Sequence, residues 1–554
     1  MIKENFIKLY EQSFKENWDR EAFTDYGENN TLTYGDAAQE IARIHLIFEK
    51  LHVRKGDKIA MIGRNTSKWA ICYLSVVTYG VIVVPILQDF NPNDVHHIVN
   101  HSESSLLFVS DAIWETLEED KMPNLRAIFS LNDYRCISQR DGEFIQRMLK
   151  TIDGEFKRRY PNGFTASDVH YASADNSELA LINYTSGTTG FTKGVMLSGN
   201  NLAGNVMFAI NSHLMHNRTR ILSFLPLAHA YGCAFEFLSP VAAGGHIFLM
   251  GKIPSPKVLI QAMNEVKPTI ILTVPLILEK IYKKQIQPLL QKRSFMLAMS
   301  IPVLKQRLLT TINKKLMTAF GGEFFQVIVG GAPLNPEVEA FLLKIKFPFT
   351  VGYGMTECAP LISYSPYDEF EEGSCGRILE GMEARIDLSS TTSKEVGEIC
   401  VRGEHVMTGY YKNEAATTAA FDADGWFHTG DLGCMTGSGS LIIRGRSKSM
   451  ILGPSGQNIY PEEIEAKLNN MPFVMESLVI ERDGKLIAMV YPDYEGVDES
   501  HVAHSDLAAI MEETRKTVNQ ELAAYAAISK IVLYPTEFAK TPKKSIKRYL
   551  YATD

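Results

Sequence analysis

Short apolar, β-branched runs recur through the first half of this chain with amphipathic stretches between them. That rhythm restricts the fold more than any other feature of the sequence. Asp57–Ile62, Val81–Leu87, Ser105–Val109 and Leu179–Tyr184 read as buried strands, and Tyr34–Leu51 reads as an amphipathic helix between them. Apolar strands separated by helices imply parallel sheets covered on both faces. The series continues through Arg220–Phe224, His246–Met250, Thr269–Thr273 and Phe325–Val329. After about Gly381 it gives way to short strand patterns with Gly-rich turns, as in MEARIDL, VGEICVRG and SLIIRGR. Helical patterns return at Pro461–Leu468 and Leu507–Ala524, so a small C-terminal α+β domain is expected to begin near Gly445. The predicted class is α/β, with a β-rich subdomain after the parallel-type sheets.

At 554 residues the chain exceeds what one hydrophobic core serves, and two or more domains are expected. The net charge of −8 argues against a nucleic-acid partner, because phosphate neutralisation needs clustered Lys and Arg. Seven cysteines without a CxxC pair suit a reducing compartment and suggest neither a disulfide framework nor a zinc site. The N-terminal stretch is charged throughout and lacks an export core, which predicts a cytoplasmic protein. Ala70–Gln88 is uncharged, but Gly80 and Pro85 interrupt it, so it reads as a helix feeding a buried strand and not as a membrane span. Between residues 280 and 322 there are nine Lys or Arg and no Asp or Glu. The ordinary reading is a solvated helical face. The sharper one is weak peripheral contact with anionic lipid or another acidic ligand.

The chemistry concentrates in Tyr184–Val195, YTSGTTGFTKGV, which follows the apolar run LALIN and reads as a loop leaving a strand. Glycines let backbone N–H groups approach an anion, hydroxyls add donors, and Lys193 supplies a point charge for phosphate. It is not a Walker A loop. Composition alone fits a surface turn as well as a phosphate cradle. A lone histidine such as His229, in FLPLAHAYG, is by itself more often a satisfied core residue.

The string in 184–195 resembles the phosphate loop of the acyl-adenylate-forming (AMP-binding) superfamily, which includes acyl-CoA synthetases, firefly luciferase and adenylation domains. Further signatures follow in the family's order: GGAPL at Gly330–Leu334, VGYGMTE at Val351–Glu357, GWFHTGDLG with Asp431, and IIRGR with Arg446. The resemblance implies phosphate binding by Thr185, Ser186, Gly187, Thr188, Thr189, Gly190 and Lys193. It implies that Gly331, Ala332 and Pro333 lie along the adenine. Within Gly352, Tyr353, Gly354 and Met355 it sets Tyr353 against the base, with Thr356 on phosphate and Glu357 on Mg²⁺. Asp431 and Arg446 would take the ribose hydroxyls, and His229 would sit in the substrate and phosphate surroundings without transferring a proton. The segment Val274–Lys284 looks like long-chain fatty acyl-CoA synthetases, so the implied reaction converts a medium or long fatty acid, ATP and coenzyme A into acyl-CoA, AMP and pyrophosphate.

The resemblance also implies a mobile C-terminal domain, 446–554, swinging against 1–445 about Lys448 and Ser449, with Gly456 near the thiol's path. Many relatives have Asp where this chain has Ser449. KTPKKSIKR, Lys540–Arg548, departs further from the family pattern: the slot of the catalytic lysine holds Ser545, and Lys544 is the expected substitute. Small-molecule substrates are the expected partners, with a homodimer left open. The alternatives are loading of a carrier-protein phosphopantetheine, an aryl- or amino-acid-activating relative, and a nucleotide-binding protein that has lost catalysis.

Overall fold

The computed structural model describes residues 2–551 apart from 29, 141, 187–191, 252–253, 291, 390, 392, 453–457, 483 and 542–544. The first strand series forms an eight-stranded sheet. Its order is Gly409–Tyr410, Thr192–Ser198, Leu179–Ser186, Ile82–Ile86, Lys58–Ile62, Leu106–Val109, Ala127–Ser130 and Cys136–Gln139. From Leu179–Ser186 to Ala127–Ser130 the pairs are parallel, as expected of strands joined through helices. Both ends of the sheet are antiparallel. The departure has a simple cause at Ser186: only residues 187–191 separate it from Thr192, and a parallel crossover needs a dozen or more residues. YTSGTTGFTKGV, expected as a loop leaving a strand, thus runs from one strand directly into its antiparallel neighbour and forms a hairpin.

A second sheet pairs Arg220–Ser223, His246–Leu249 and Glu21–Asp25 in parallel, with Thr31–Thr33 antiparallel at its edge. A third, Ile271–Thr273, Val327–Val329 and Phe349–Val351, is wholly parallel. The Gly-rich stretch after Gly381 forms an antiparallel sheet of Met382–Asp387, Gly397–Gly403, Phe427–Met435 and Leu441–Arg446.

The uncharged stretch near residue 70 is the helix Ser67–Tyr79, buried almost all round. Thr66 caps its start, and Gly80, at φ 82°, ends it in the left-handed conformation that glycine adopts without Cβ strain. Strand Ile82–Ile86 follows at once. Among the described residues, no helix is long and apolar enough to cross a membrane.

One continuous core runs from Phe6 to Leu441, while Ile459–Tyr551 packs in three smaller clusters. The helix expected over Leu507–Ala524 stops at Gln520. There the Asn519 amide turns to bond both backbone groups of Ile528, at 2.9 and 2.8 Å, and pins the strand Ile528–Leu533 alongside.

Asn205 shows how the core holds the site. It sits fully buried on the helix Gly199–Asn211, donates to the carbonyls of Asn201 (3.1 Å) and Cys358 (3.3 Å), and accepts from the Leu361 N–H (3.0 Å). Asn205→Ala should therefore strand buried polar groups and destabilise the protein by about 2–4 kcal/mol. Urea unfolding should show this against Asn211→Ala, an exposed position expected to change stability by less than about 0.5 kcal/mol.

Candidate active site

The hairpin strands set Thr185 opposite Lys193 and Ser186 opposite Thr192. Gly187, Thr188, Thr189 and Gly190 lie outside the described residues. The second hairpin strand is extended by Gly409–Tyr410, with Tyr410 paired to Val195. That pairing brings the Lys193 ammonium over the Tyr410 ring, 4.7 Å from its centroid. The same tyrosine donates its hydroxyl to Glu357 Oε1 at 3.1 Å. Burial and the Glu357 charge both push the Tyr410 phenol up, so it remains a donor across the physiological range.

Glu357 lies in the single turn Thr356–Cys358, held from behind by Met407 N–H on its carbonyl at 2.8 Å. Thr356 is buried and Glu357 half-buried. Among the described residues, no donor occupies Glu357 Oε2. A carboxylate with one oxygen anchored and one open suits a hard cation such as Mg²⁺, which binds through one or two carboxylates plus substrate oxygens.

The Asp431 carboxylate lies between two partners. Tyr353 donates to Oδ2 at 2.6 Å, and Arg446 Nε meets Oδ1 at 2.7 Å. Asp431 and Arg446 face one another in the register of neighbouring strands. The aspartate side chain is 6% exposed and the arginine 58%, so the charge sits inside and its counter-ion reaches outward. Burial pushes the Asp431 carboxyl up, while Arg446 and the Tyr353 hydroxyl oppose that shift. Gly352 and Met355, flanking the Tyr353–Gly354 strand, are half-buried.

Gly331, Ala332 and Pro333 are exposed after the strand Val327–Val329, and buried Leu334 anchors them. Gly331 takes φ 85°, a conformation glycine reaches freely. His229 caps the next helical run, its Nδ1 accepting from Tyr231 N–H at 3.3 Å. Tyr231 then crosses to the third sheet, where its hydroxyl donates to the Ile328 carbonyl at 3.0 Å. The histidine loop and the Gly330 segment are thus tied through one ring.

Sequence reasoning brought out neither Tyr410 nor the side chains that fix the His229 loop. Asn65 bonds Leu225 O (2.7 Å) and Leu227 N–H (3.1 Å), and Asn183 donates to Ala228 O (3.1 Å). Glu236, fully buried, accepts from Ser223 Oγ (2.9 Å) and Leu225 N–H (3.0 Å), and burial pushes its carboxyl far up. A charged residue inside the apolar run CAFEFL was the only signal available in the sequence. Gly456 and Lys544 lie outside the described residues. Around the latter, Thr541 N–H donates to Ser545 O at 2.8 Å, and Lys540 pairs with Glu476 at 2.5 Å.

These clusters are carried on an α/β fold with a β-rich extension. The family model described as "AMP-binding enzyme" matches residues 10–411, and the chain belongs to that family. It is 27% identical to the long-chain-fatty-acid–CoA ligase FadD15 of Mycobacterium bovis, over 94% of this chain and 90% of that one. Among solved structures, ATP-bound MatB from Rhodopseudomonas palustris superposes with a TM-score of 0.76 at 21% identity, covering 99% and 98% of the two chains. The anthranilate CoA ligase AuaEII with anthranoyl-AMP gives 0.77 at 18% identity, covering 99% and 96%. These likenesses bear out the two-part α/β fold.

Gly354 is the tightest position beside Tyr353, since a Cβ there would lie 2.3 Å from the Pro360 carbonyl oxygen. Gly354→Ala should displace Tyr353 from Asp431 and weaken AMP binding about tenfold or more in calorimetric titration, matching the 1–3 kcal/mol cost of forced overpacking. Gly437→Ala, with nothing within 4 Å, should change it by less than about twofold.

Proposed function

We propose that this chain activates a medium or long fatty acid with ATP and transfers the acyl group to coenzyme A. The observation that carries the reading is the Lys193–Tyr410–Glu357 chain at the base of the hairpin, which supplies a phosphate cation and an open carboxylate oxygen together. In the first half-reaction a substrate carboxylate oxygen bonds to the α-phosphorus of ATP, and the bond to the departing pyrophosphate breaks. In the second, the coenzyme A thiolate bonds to the acyl carbon, the C–O bond of the mixed anhydride breaks, and AMP leaves.

Lys193 exchanges its ring contact for phosphate oxygens, joined by the hydroxyls of Thr185 and Ser186 and the 187–190 segment. Thr356 hydrogen-bonds phosphate, and Glu357 holds Mg²⁺, which supplies charge neutralisation at the phosphates when bound. Tyr353 packs on the base beside Gly331–Pro333, while Asp431 and Arg446 take the ribose hydroxyls. His229 orients groups near the acyl carboxylate. Residues 446–554 form the moving domain. The N–H groups of Ser449 and Met450, both 3.0 Å from the Arg446 carbonyl, make a tight turn suited to a pivot there. Gly456 lines the thiol path, and Lys544 supplies the cation at the α-phosphate. The reading sets the enzyme in the cytoplasm, where its substrates are available.

The fatty-acid assignment draws on Val274–Lys284 and on the long-chain ligase among the relatives. The anthranilate ligase among the structural neighbours favours an aryl acid as the second reading. A panel of acids decides between them. Each buried CH₂ contributes about 0.8 kcal/mol, so kcat/KM should rise by orders of magnitude from acetate to medium or long chains. An aromatic acid or acetate as best substrate would replace the fatty-acid assignment.

Glu357→Gln and Lys544→Ala should each lower acid-dependent pyrophosphate exchange by about 10²-fold or more, the scale of losing one electrostatic stabiliser. Lys544→Ala should still turn synthetic acyl-adenylate and coenzyme A into thioester, because its cation acts only in the first half-reaction. Selective loss in Lys547→Ala instead would move the role to Lys547.

A further inference from the structure

The acid-free stretch 280–322 folds largely as the helix Arg293–Met299, a corner at Ser300 and Ile301, and the helix Pro302–Ala319. Four large apolar side chains stand in solvent at that corner: Leu297 (70% exposed), Ile301 (49%), Val303 (64%) and Leu304 (41%). They fall within eight consecutive positions, and nothing else in the described protein exposes apolar side chains so densely. The second helix has a clear inner face, because Leu309 and Leu316 are buried. At 3.6 residues per turn, Val303, Arg307 and Lys314 share a stripe roughly opposite that face, with Leu304 and Lys315 beside it. Lys292, Lys305, Arg307, Lys314 and Lys315 are exposed, and among the described residues none pairs with a carboxylate.

A solvated helical face accounts for the cations but not for the apolar corner. A protein partner suits the patch poorly, since protein interfaces are depleted in Lys and enriched in aromatic residues, and no aromatic side chain is exposed here among the described residues. Apolar side chains at a helical corner, ringed by long cationic ones, match the interfacial layer of an anionic bilayer: the corner enters the acyl boundary and the ammonium groups stay among headgroup phosphates. The charge balance gives direction. The chain carries −8 with these five cations included, hence −13 without them, so an anionic surface repels the remainder and attracts this face.

We propose that the corner between Arg293–Met299 and Pro302–Ala319, with its cationic stripe, docks the protein peripherally on membranes rich in anionic lipid. The proposal stands on the patch alone and is independent of the reaction assigned above. Full-length protein is sedimented with vesicles of phosphatidylcholine, with or without phosphatidylglycerol, at low and high salt. Binding should require the anionic lipid and weaken with salt. Combined Lys305→Gln, Arg307→Gln and Lys314→Gln should weaken it roughly 10²-fold, about fivefold per cation. Combined Leu297→Gln, Val303→Gln and Leu304→Gln should abolish the binding that survives at high salt. Both variants alter exposed positions, and unchanged melting temperatures will separate lost docking from lost fold. Equal binding to neutral and anionic vesicles, or variants that bind like the wild type, would overturn the proposal. So would an apolar variant that turns a dimer into a monomer in sedimentation equilibrium while vesicle binding persists, because the patch would then join two copies of this chain.

Discussion

Gly409–Tyr410 adds two residues of antiparallel ladder to the hairpin strand Thr192–Ser198, and through that short pairing distant parts of the chain meet. The Tyr410 ring receives Lys193, its hydroxyl reaches Glu357, and nearby Met407 N–H holds the Glu357 carbonyl. Tyr411 N–H, donating to Gly194 O at 2.8 Å, extends the seam. The parallel sheets could form without this seam. Their cation and the carboxylate near residue 357 would then have no common frame. Asn205 supports the same turn from the opposite side, so it is fixed between two packed elements and not by its own sequence.

The electrostatics of the two clusters differ in a way that suits separate tasks. Lys193 faces an aromatic ring, and a cation–π contact stabilises by about 0.5–2 kcal/mol, weakly enough to be exchanged for an anion. Asp431 is buried between a hydroxyl and a guanidinium, and removing the guanidinium would leave an uncompensated charge inside the protein. The first arrangement keeps a charge available. The second keeps a geometry fixed. Both sit next to the Tyr353–Glu357 segment, so one stretch of backbone sets the distance between them.

The C-terminal residues are built on a smaller scale. Their clusters depend on polar ties, among them Glu465, which accepts from Val479 N–H at 2.6 Å and pairs with Arg548, while burial pushes its carboxyl up to about 7. Toward the large body, their described contacts include several polar ones. Lys283 donates to Asn469 O at 2.6 Å, Asn335 donates to the Asn470 side chain at 2.5 Å, and Arg444 lies 3.6 Å from Glu463. Such contacts exchange with water at modest cost, unlike an apolar seam, and relative motion of the two parts is compatible with them.

Much of this was legible in the residues. Periodicity read the strands Lys58–Ile62, Ile82–Ile86 and Val327–Val329, because apolar runs between helices have few other ways to bury themselves. Motif order read the family, because hairpin, glycine segment and acidic turn are each contiguous in sequence. The hairpin's direction was missed although the five-residue connection was there to be counted. Tertiary structure alone decided what depends on register and on long-range pairing. Nothing in TGYYKN marks Tyr410 as the bridge between Lys193 and Glu357, and nothing in NNLAGNV marks Asn205 as a brace for residues 358–361. Asp431 faces Arg446 only because two strands align at one register, and a slip of one residue would turn each side chain to the other face. Local pattern fixes what a segment becomes. Which side chain it meets is set by packing against segments hundreds of residues away, and no local pattern encodes that.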